Sequence, residues 1–153
     1  MEMITEPASK ISMRTLARAS FFSNLTKQQL ELIDSICHVQ QFPASGQIYR
    51  LGEYAQYLYV LVEGTVRFSL TLGNRHAPAG EIIGCGEVFG WAALIENAQR
   101  RIAGAACITP CVSVAIDGNE LLELMEENNS IGYQIMKQLS MLITGNMTAC
   151  VAG

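Results

Sequence analysis

Gly86-Glu87-Val88-Phe89-Gly90-Trp91-Ala92-Ala93-Leu94, followed after five residues by Arg100-Arg101, is the stretch whose reading decides the fold. A turn bounded by two glycines runs into a short helical segment, and an arginine pair opens the next strand-like segment. That order suits an anion cradle: glycine lets the backbone approach an anion, helix-end N–H groups point at it, and an arginine supplies the charge. The candidate ligand-binding residues are Val88, Phe89, Gly90, Trp91, Ala92, Ala93, Arg100, Arg101 and Ile102. Successive strand residues point to opposite faces. Only one of Arg100 and Arg101 can therefore enter the pocket, and the other is a solvated surface charge.

Outward from this stretch, residues 37–117 have the texture of short β segments punctuated by glycine. His38–Phe42 is followed by the turn Pro43-Ala44-Ser45-Gly46, and Gln47–Leu51 ends at Gly52. Tyr57–Glu63 ends at Gly64, Thr65–Leu70 alternates into Gly73-Asn74, and Glu81-Ile82-Ile83 leads into the cassette; two later strands span about 101–108 and 111–116. Many short strands at regular spacing predict a small barrel or roll rather than a parallel sheet.

Helical patterns flank the β region. Residues 9–36 read as helical, with Leu16, Phe21 and Phe22 as anchors. Thr26-Lys27-Gln28-Gln29 is a capping box, after which Leu30, Leu32, Ile33 and Ile36 form a buried face. Asp117-Gly118-Asn119-Glu120 is a second capping box by chemistry and opens a helix over 119–127. A final helix runs from Ile131 towards Cys150. Ile131, Ile135, Leu139 and Leu142 make one apolar stripe and Met136, Ile143 and Met147 a second, with Lys137 the only charge after Glu127. A helix apolar on two faces needs a partner beyond one barrel surface, which predicts a homodimer through this helix. Gly132 and Gly145 weaken the helix but permit close backbone approach.

The cassette resembles the phosphate-binding cassette of the cyclic-nucleotide-binding domain family, which reads roughly Gly-Glu-x-Phe-Gly-Glu-Leu-Ala-Leu with an arginine ten or eleven residues after the second glycine. Here that glycine is Gly90, and Arg100 and Arg101 stand at the two offsets. The ten-residue offset and Ala93-Leu94 before the gap favour Arg100. The glycines Gly46, Gly52 and Gly64, the last preceded by Leu58-Tyr59-Val60-Leu61-Val62-Glu63, resemble the family's β-roll pattern. The resemblance implies a mainly β fold with flanking α: a double-stranded β-helix, or jelly roll, with N-terminal helices and a long C-terminal helix. It spans one domain over 1–153, divided into N-terminal helices (1–36), roll (37–117, with the cassette at 86–101) and C-terminal helices (118–153).

One departure bears on the ligand. Trp91 stands where the family has a glutamate that accepts hydrogen bonds from the ribose 2′-hydroxyl, and an indole has one donor and no acceptor. Losing a charge-assisted hydrogen bond costs about 1.5–3 kcal/mol, roughly ten- to a hundredfold in affinity. Trp91 either stacks on a ligand ring or fills the ribose pocket as an apolar plug. The function implied is a sensor or regulatory module for a small anionic ligand, with cyclic AMP or cyclic GMP binding weakly. Two further readings stay open: a ligand-free interaction scaffold closed by Trp91, and the sensory half of a transcription regulator, since regulators of this family carry a helix-turn-helix after the long helix and this sequence stops at Gly153.

Composition excludes other classes. Half of the 153 residues are hydrophobic and 16% charged, with net charge −4 and only one adjacent arginine pair, so the footprint that duplex DNA requires is missing. The first residues do not form a signal-peptide pattern and no uncharged apolar run reaches spanning length, which predicts a cytoplasmic protein away from the membrane. Five cysteines (37, 85, 107, 111 and 150) are widely spaced and read as buried thiols. No cysteine precedes Cys37, so the N-terminal iron–sulfur group of some relatives is excluded. A haem-sensing branch uses a histidine near the loop that holds His76; in the polar run Gly73–Pro78 that histidine reads as solvated. No nucleophile–base set or paired carboxylate appears, so the chain does not read as an enzyme, and no metal site is expected.

Overall fold

A computed structural model of the chain describes residues 7–72, 75–78, 83–95, 100–145 and 152–153, with backbone alone at 71–72, 75–78 and 145. Helix α1 (Ala8–Arg18) is followed by a 3₁₀ turn (Ser20–Phe22) and helix α2 (Lys27–Asp34). The helical reading of 9–36 is therefore interrupted. Ala19 is extended, and Phe21 and Phe22 leave the helix path to pack edge-to-face in the core, 5.0 Å apart. Ser20, Ser23, Asn24 and Thr26 favour local turns over helix continuation. The Thr26 capping box forms in full: its hydroxyl accepts from Gln29 N–H at 3.2 Å, and Gln29 accepts from Thr26 N–H at 2.9 Å.

Among the described residues eight strands follow: β1 (Cys37–Phe42), β2 (Gln47–Tyr49), β3 (Tyr57–Glu63), β4 (Val66–Leu72), β5 (Arg75–Pro78), β6 (Val88–Phe89), β7 (Gly104–Cys107) and β8 (Cys111–Asp117). They form two four-stranded sheets, β1-β8-β3-β6 and β2-β7-β4-β5, and every pairing is antiparallel. β3 and β8 are central and covered on both faces. Leu58, Val60, Val114 and Ile116 pack towards the helices, while Tyr59, Leu61 and Ala115 pack inside the roll. This double burial explains why both strands read as nearly unbroken apolar runs.

Two strand expectations change. Residues 75–78, read as part of a polar loop, are β5, with His76 opposite Thr71. The strand expected from residue 101 begins at Gly104. Arg101 instead exchanges backbone hydrogen bonds with the 52–53 turn, donating to Glu53 O at 2.8 Å and accepting from Gly52 N–H at 2.9 Å. The segment 81–82 lies outside the described residues, and Ile83 bridges Val66.

Helix α3 (Gly118–Glu127) starts at Gly118, one residue earlier than expected, with Asp117 accepting from Glu120 N–H at 3.1 Å. Helix α4 spans Asn129–Gly145, starting two residues before Ile131. Its two stripes differ. Ile131, Ile135 and Leu139 are fully buried against Phe21, Phe22 and Met125 of the same chain, so this stripe needs no second molecule. On the other stripe Met136 is exposed, Ile143 is half-buried and Met147 lies outside the described residues; Tyr133 and Met141 are exposed as well. At Gly132 an added Cβ would lie 3.1 Å from Met125 O, so this glycine serves the close approach of α4 to α3.

The thiols are not uniformly buried. Cys107 and Cys111 are buried and Cys37 half-buried, but Cys85 is exposed; Cys150 lies outside the described residues. Burial pushes the Cys37 thiol up to about 12, with the Asp34 carboxylate adding to the effect; burial and a hydrogen bond with Cys111 push Cys107 up to about 12. Both stay protonated in the folded state at pH values where the unfolded thiols, near 9, ionise. Their contribution is complete below about pH 9 and is lost as pH rises towards 12. Urea midpoints should thus fall between pH 9 and 11, with Cys37 alone removing about 1.4 kcal/mol per pH unit inside that window. Cys37→Ala should flatten the decline, and an unchanged slope would contradict the assignment.

Candidate anion site in the roll

The cassette begins with a turn that the backbone fixes. Gly84 N–H donates to Glu87 Oε2 at 2.8 Å, and Gly86, in the left-handed region at φ 84°, donates to Leu61 O at 2.7 Å. β6 then pairs with β3, setting Phe89 opposite Tyr59 and Val88 opposite Val60. Phe89 enters the roll and stacks on Tyr59 at 5.1 Å, whereas Val88 turns to the helix side. The structure therefore does not bring the Val88 side chain to the site.

Gly90 follows at φ 77°, and only a glycine fits there. A Cβ would stand 2.9 Å from Tyr57 O, 3.0 Å from the Tyr59 ring and 3.1 Å from Arg101 Nη1. Trp91–Leu94 is a four-residue 3₁₀ turn. The expected helix is thus a single 3₁₀ turn, and the Gly90 N–H before it donates to Ala152 O at 2.5 Å. Ala92 and Ala93 pack in a separate buried cluster with Ala55.

Arg101 is the arginine that turns inward, which corrects the preference for Arg100. It is 3% exposed, while Arg100 is exposed and reaches only Gly52 O at 3.3 Å. Ile102, also placed among the site residues, is 48% exposed. Arg101 Nη1 donates to Gly90 O at 2.9 Å and to Gly153 O at 2.8 Å, and Nη2 donates to Tyr57 O at 2.7 Å. Its guanidinium carbon lies 4.1 Å from the centre of the Tyr49 ring. Buried Nε has no hydrogen-bond partner among the described residues. Among the described residues no Asp or Glu side chain forms an ion pair with Arg101. Burial lowers its proton affinity, Tyr49, Tyr59 and Glu53 act the other way, and a guanidinium remains charged throughout. Burial likewise pushes the Tyr59 phenol up to about 12 against the pull of Arg101. The centre is a buried cation walled by Tyr49, Tyr59 and Phe89.

Sequence reasoning missed Tyr49, the Tyr57 carbonyl and the tail residues Ala152 and Gly153. Tyr49 was legible as an inward residue of the strand after Gly46. Nothing in the pattern of the tail signalled its place. Gly90 N–H donates to Ala152 O at 2.5 Å, the Tyr49 hydroxyl lies 3.4 Å from the same oxygen, and Gly153 packs against Trp91.

The family model for the cyclic nucleotide-binding domain matches residues 39–128, more than half of the chain, from within β1 to the end of α3. The chain belongs to the cyclic nucleotide-binding domain family. It is 28% identical over 111 residues to the cAMP-activated global transcriptional regulator of Pasteurella multocida, covering 72% of this chain and 53% of the relative. The chain thus spans about half the length of that curated relative. In fold it is similar to the sensor domain of the transcriptional regulator DNR from Pseudomonas aeruginosa, with TM-score 0.74, 18% identity, and 88% and 90% of the two chains covered. It is also similar to the regulatory domain of a Toxoplasma gondii protein kinase solved with cAMP, with TM-score 0.73, 19% identity, and 87% and 50% covered. The jelly roll with helices at both ends is the shared architecture. None of the described helices is long and apolar enough to cross a membrane.

Proposed function

We propose that the chain is the ligand-sensing module of a regulator, taking a small anionic ligand, a cyclic nucleotide or another nucleotide phosphate, on Arg101 and Gly90 of the cassette. One observation carries this reading: Arg101 is a buried cation that, among the described residues, has no partner for its Nε and no acidic side chain paired to it. Burying an unpaired charge costs several kcal/mol, and an anion seated against it recovers much of that. The aromatic wall of Tyr49, Tyr59 and Phe89 suits the apolar part of such a ligand.

Trp91 sets the affinity. With no acceptor for a ribose hydroxyl, cyclic AMP and cyclic GMP should bind at least tenfold more weakly than to family members that carry the glutamate. Calorimetric titration of cyclic AMP, cyclic GMP and inorganic phosphate into the full chain tests this. Weak binding of any of them that Arg101→Ala abolishes is the expected result; no heat from any of the three, in wild type and in Trp91→Glu alike, would overturn the reading.

The signal leaves through the C-terminal helices. Ala93 of the cassette packs on Gly118 so closely that no Cβ has room there, and Leu94 lines a groove of about 510 Å³ with Leu122, Met125, Tyr133 and Met136. A ligand that shifts the 91–94 turn therefore pushes directly on α3 and α4. The exposed face of Tyr133, Met136 and Met141 is the dimer surface in this reading, and the module acts in the cytoplasm, without catalysis and without binding DNA by itself. Sedimentation should give a dimer at tens of micromolar for the wild type and a monomer for Met136→Glu with Met141→Glu. Leu139→Glu is a poor probe, because Leu139 lies in the core of its own chain. A monomeric wild type would contradict the dimer.

A further inference from the structure

We infer that Tyr49 is the positioning residue of the Arg101 site: its ring takes one face of the guanidinium and leaves a single N–H edge for an anion. The role towards an anion rests on the reading proposed above; the contact between ring and cation does not.

The donors of Arg101 are mostly spent. A guanidinium carries five N–H groups in one plane. Nη1 donates to Gly90 O and Gly153 O, and Nη2 donates to Tyr57 O. What is left is the edge that Nε shares with Nη2, and there Nε has no partner among the described residues. Such an edge meets two oxygens of one carboxylate or phosphate side by side. The Tyr49 ring lies over the plane, with the guanidinium carbon 4.1 Å from its centre, so that face is closed to a ligand.

Tyr49 does this without cancelling the charge. Burial pushes its phenol above the ordinary value, against the pull of Arg101, so the ring stays neutral beside the cation. A carboxylate in its place would hold the guanidinium but neutralise it and compete with the anion. The ring is itself fixed. Tyr49 is buried and ends β2, where the register on β7 shifts between Gln47 and Tyr49. The Gln47 side chain bridges that irregularity, donating to Tyr49 O at 2.7 Å and to Ala105 O at 3.3 Å. The ring stacks on Tyr59 at 6.2 Å and meets Phe89 at 6.3 Å. Among the described residues its hydroxyl has only a long contact, 3.4 Å to Ala152 O. The face of the ring, rather than the hydroxyl, is therefore what acts on Arg101.

Proton magnetic resonance of the full chain reads the contact, because an aromatic face shifts protons above it upfield. The Arg101 Nε–H resonance should lie upfield of that of exposed Arg100 in the wild type and in Tyr49→Phe. It should move back downfield in Tyr49→Leu. Far-UV circular dichroism and urea midpoints establish that the variants fold; if Tyr49→Leu does not, the wild-type and Tyr49→Phe resonances decide. Calorimetry with cyclic AMP then reads the consequence in the Trp91→Glu background, where tighter binding is expected. Adding Tyr49→Phe should keep the affinity within about twofold, and adding Tyr49→Leu should weaken it at least about fivefold. An Arg101 resonance at the Arg100 position in the wild type, or unmoved in folded Tyr49→Leu, overturns the inference whatever the calorimetry shows. A resonance that moves while all three proteins bind cyclic AMP equally overturns the positioning role, and so does an equal loss of affinity in Tyr49→Phe. A resonance that moves, with no cyclic AMP bound by any of the three, confirms that Tyr49 holds Arg101 and counts instead against the anion-binding role.

Discussion

Arg101→Ala should abolish anion binding and lower the stability of the fold by about 2–4 kcal/mol, whereas Arg100→Ala should change stability by less than about 0.5 kcal/mol and leave binding intact. The asymmetry follows from where the two side chains go. Removing Arg101 takes the guanidinium donors from the Tyr57 carbonyl and the Gly153 oxygen, leaves the Gly90 carbonyl only the longer bond from Ala93 N–H at 3.3 Å, and takes away the cation that packs on Tyr49. A buried acceptor left without a donor costs about 1–3 kcal/mol, and two are involved; relief from burying a charge offsets part of the sum. Arg100 gives up one long contact at the surface. Urea unfolding and calorimetry on the two variants check the pair together. Equal losses from both would mean that the cassette does not hold Arg101 as described.

Gly90→Ala should cost about 2–5 kcal/mol, against about 1–2 kcal/mol for Gly86→Ala. Both glycines have positive φ, so both substitutions incur the strain of an L-residue in the left-handed region. They differ in space. A Cβ at Gly86 meets nothing within 4 Å, while at Gly90 it meets Tyr57 O, the Tyr59 ring and Arg101 Nη1 within 3.1 Å. The first two belong to β3 at the centre of its sheet and have little freedom to move. The methyl would therefore displace Arg101 as well, so Gly90→Ala should lose anion binding and Gly86→Ala should retain it. Similar midpoints for the two variants would contradict this account of the cassette.

How far the sequence could be read depended on the range of the interactions involved. Local chemistry was legible: the Thr26 box, the Asp117 cap, the turn glycines and the apolar runs of β3 and β8 all act within a few residues. The choice between Arg100 and Arg101 was not local. It depends on Gly52 and Glu53 capturing the Arg101 backbone and on Tyr57 supplying an acceptor, contacts that span more than 40 residues. The α4 stripes show the same limit. The pattern gave two apolar faces, but that one of them is consumed by Phe21 and Phe22 could not be read without knowing where the N-terminal turn docks. The break after Ala19 was readable from Ser20, Ser23 and Asn24. The tail in the cradle left no signal, because its partners recognise backbone oxygens and the lack of a side chain.

The measurement that tests the central claim most directly is calorimetric titration of cyclic AMP into the full chain, into Trp91→Glu, and into Trp91→Glu with Arg101→Ala. If Arg101 is the anion-binding cation and Trp91 the lesion in ribose recognition, Trp91→Glu binds at least tenfold tighter than wild type and the double variant shows no binding. Tight binding by the wild type, unaffected by loss of Arg101, would place the ligand elsewhere and contradict the account.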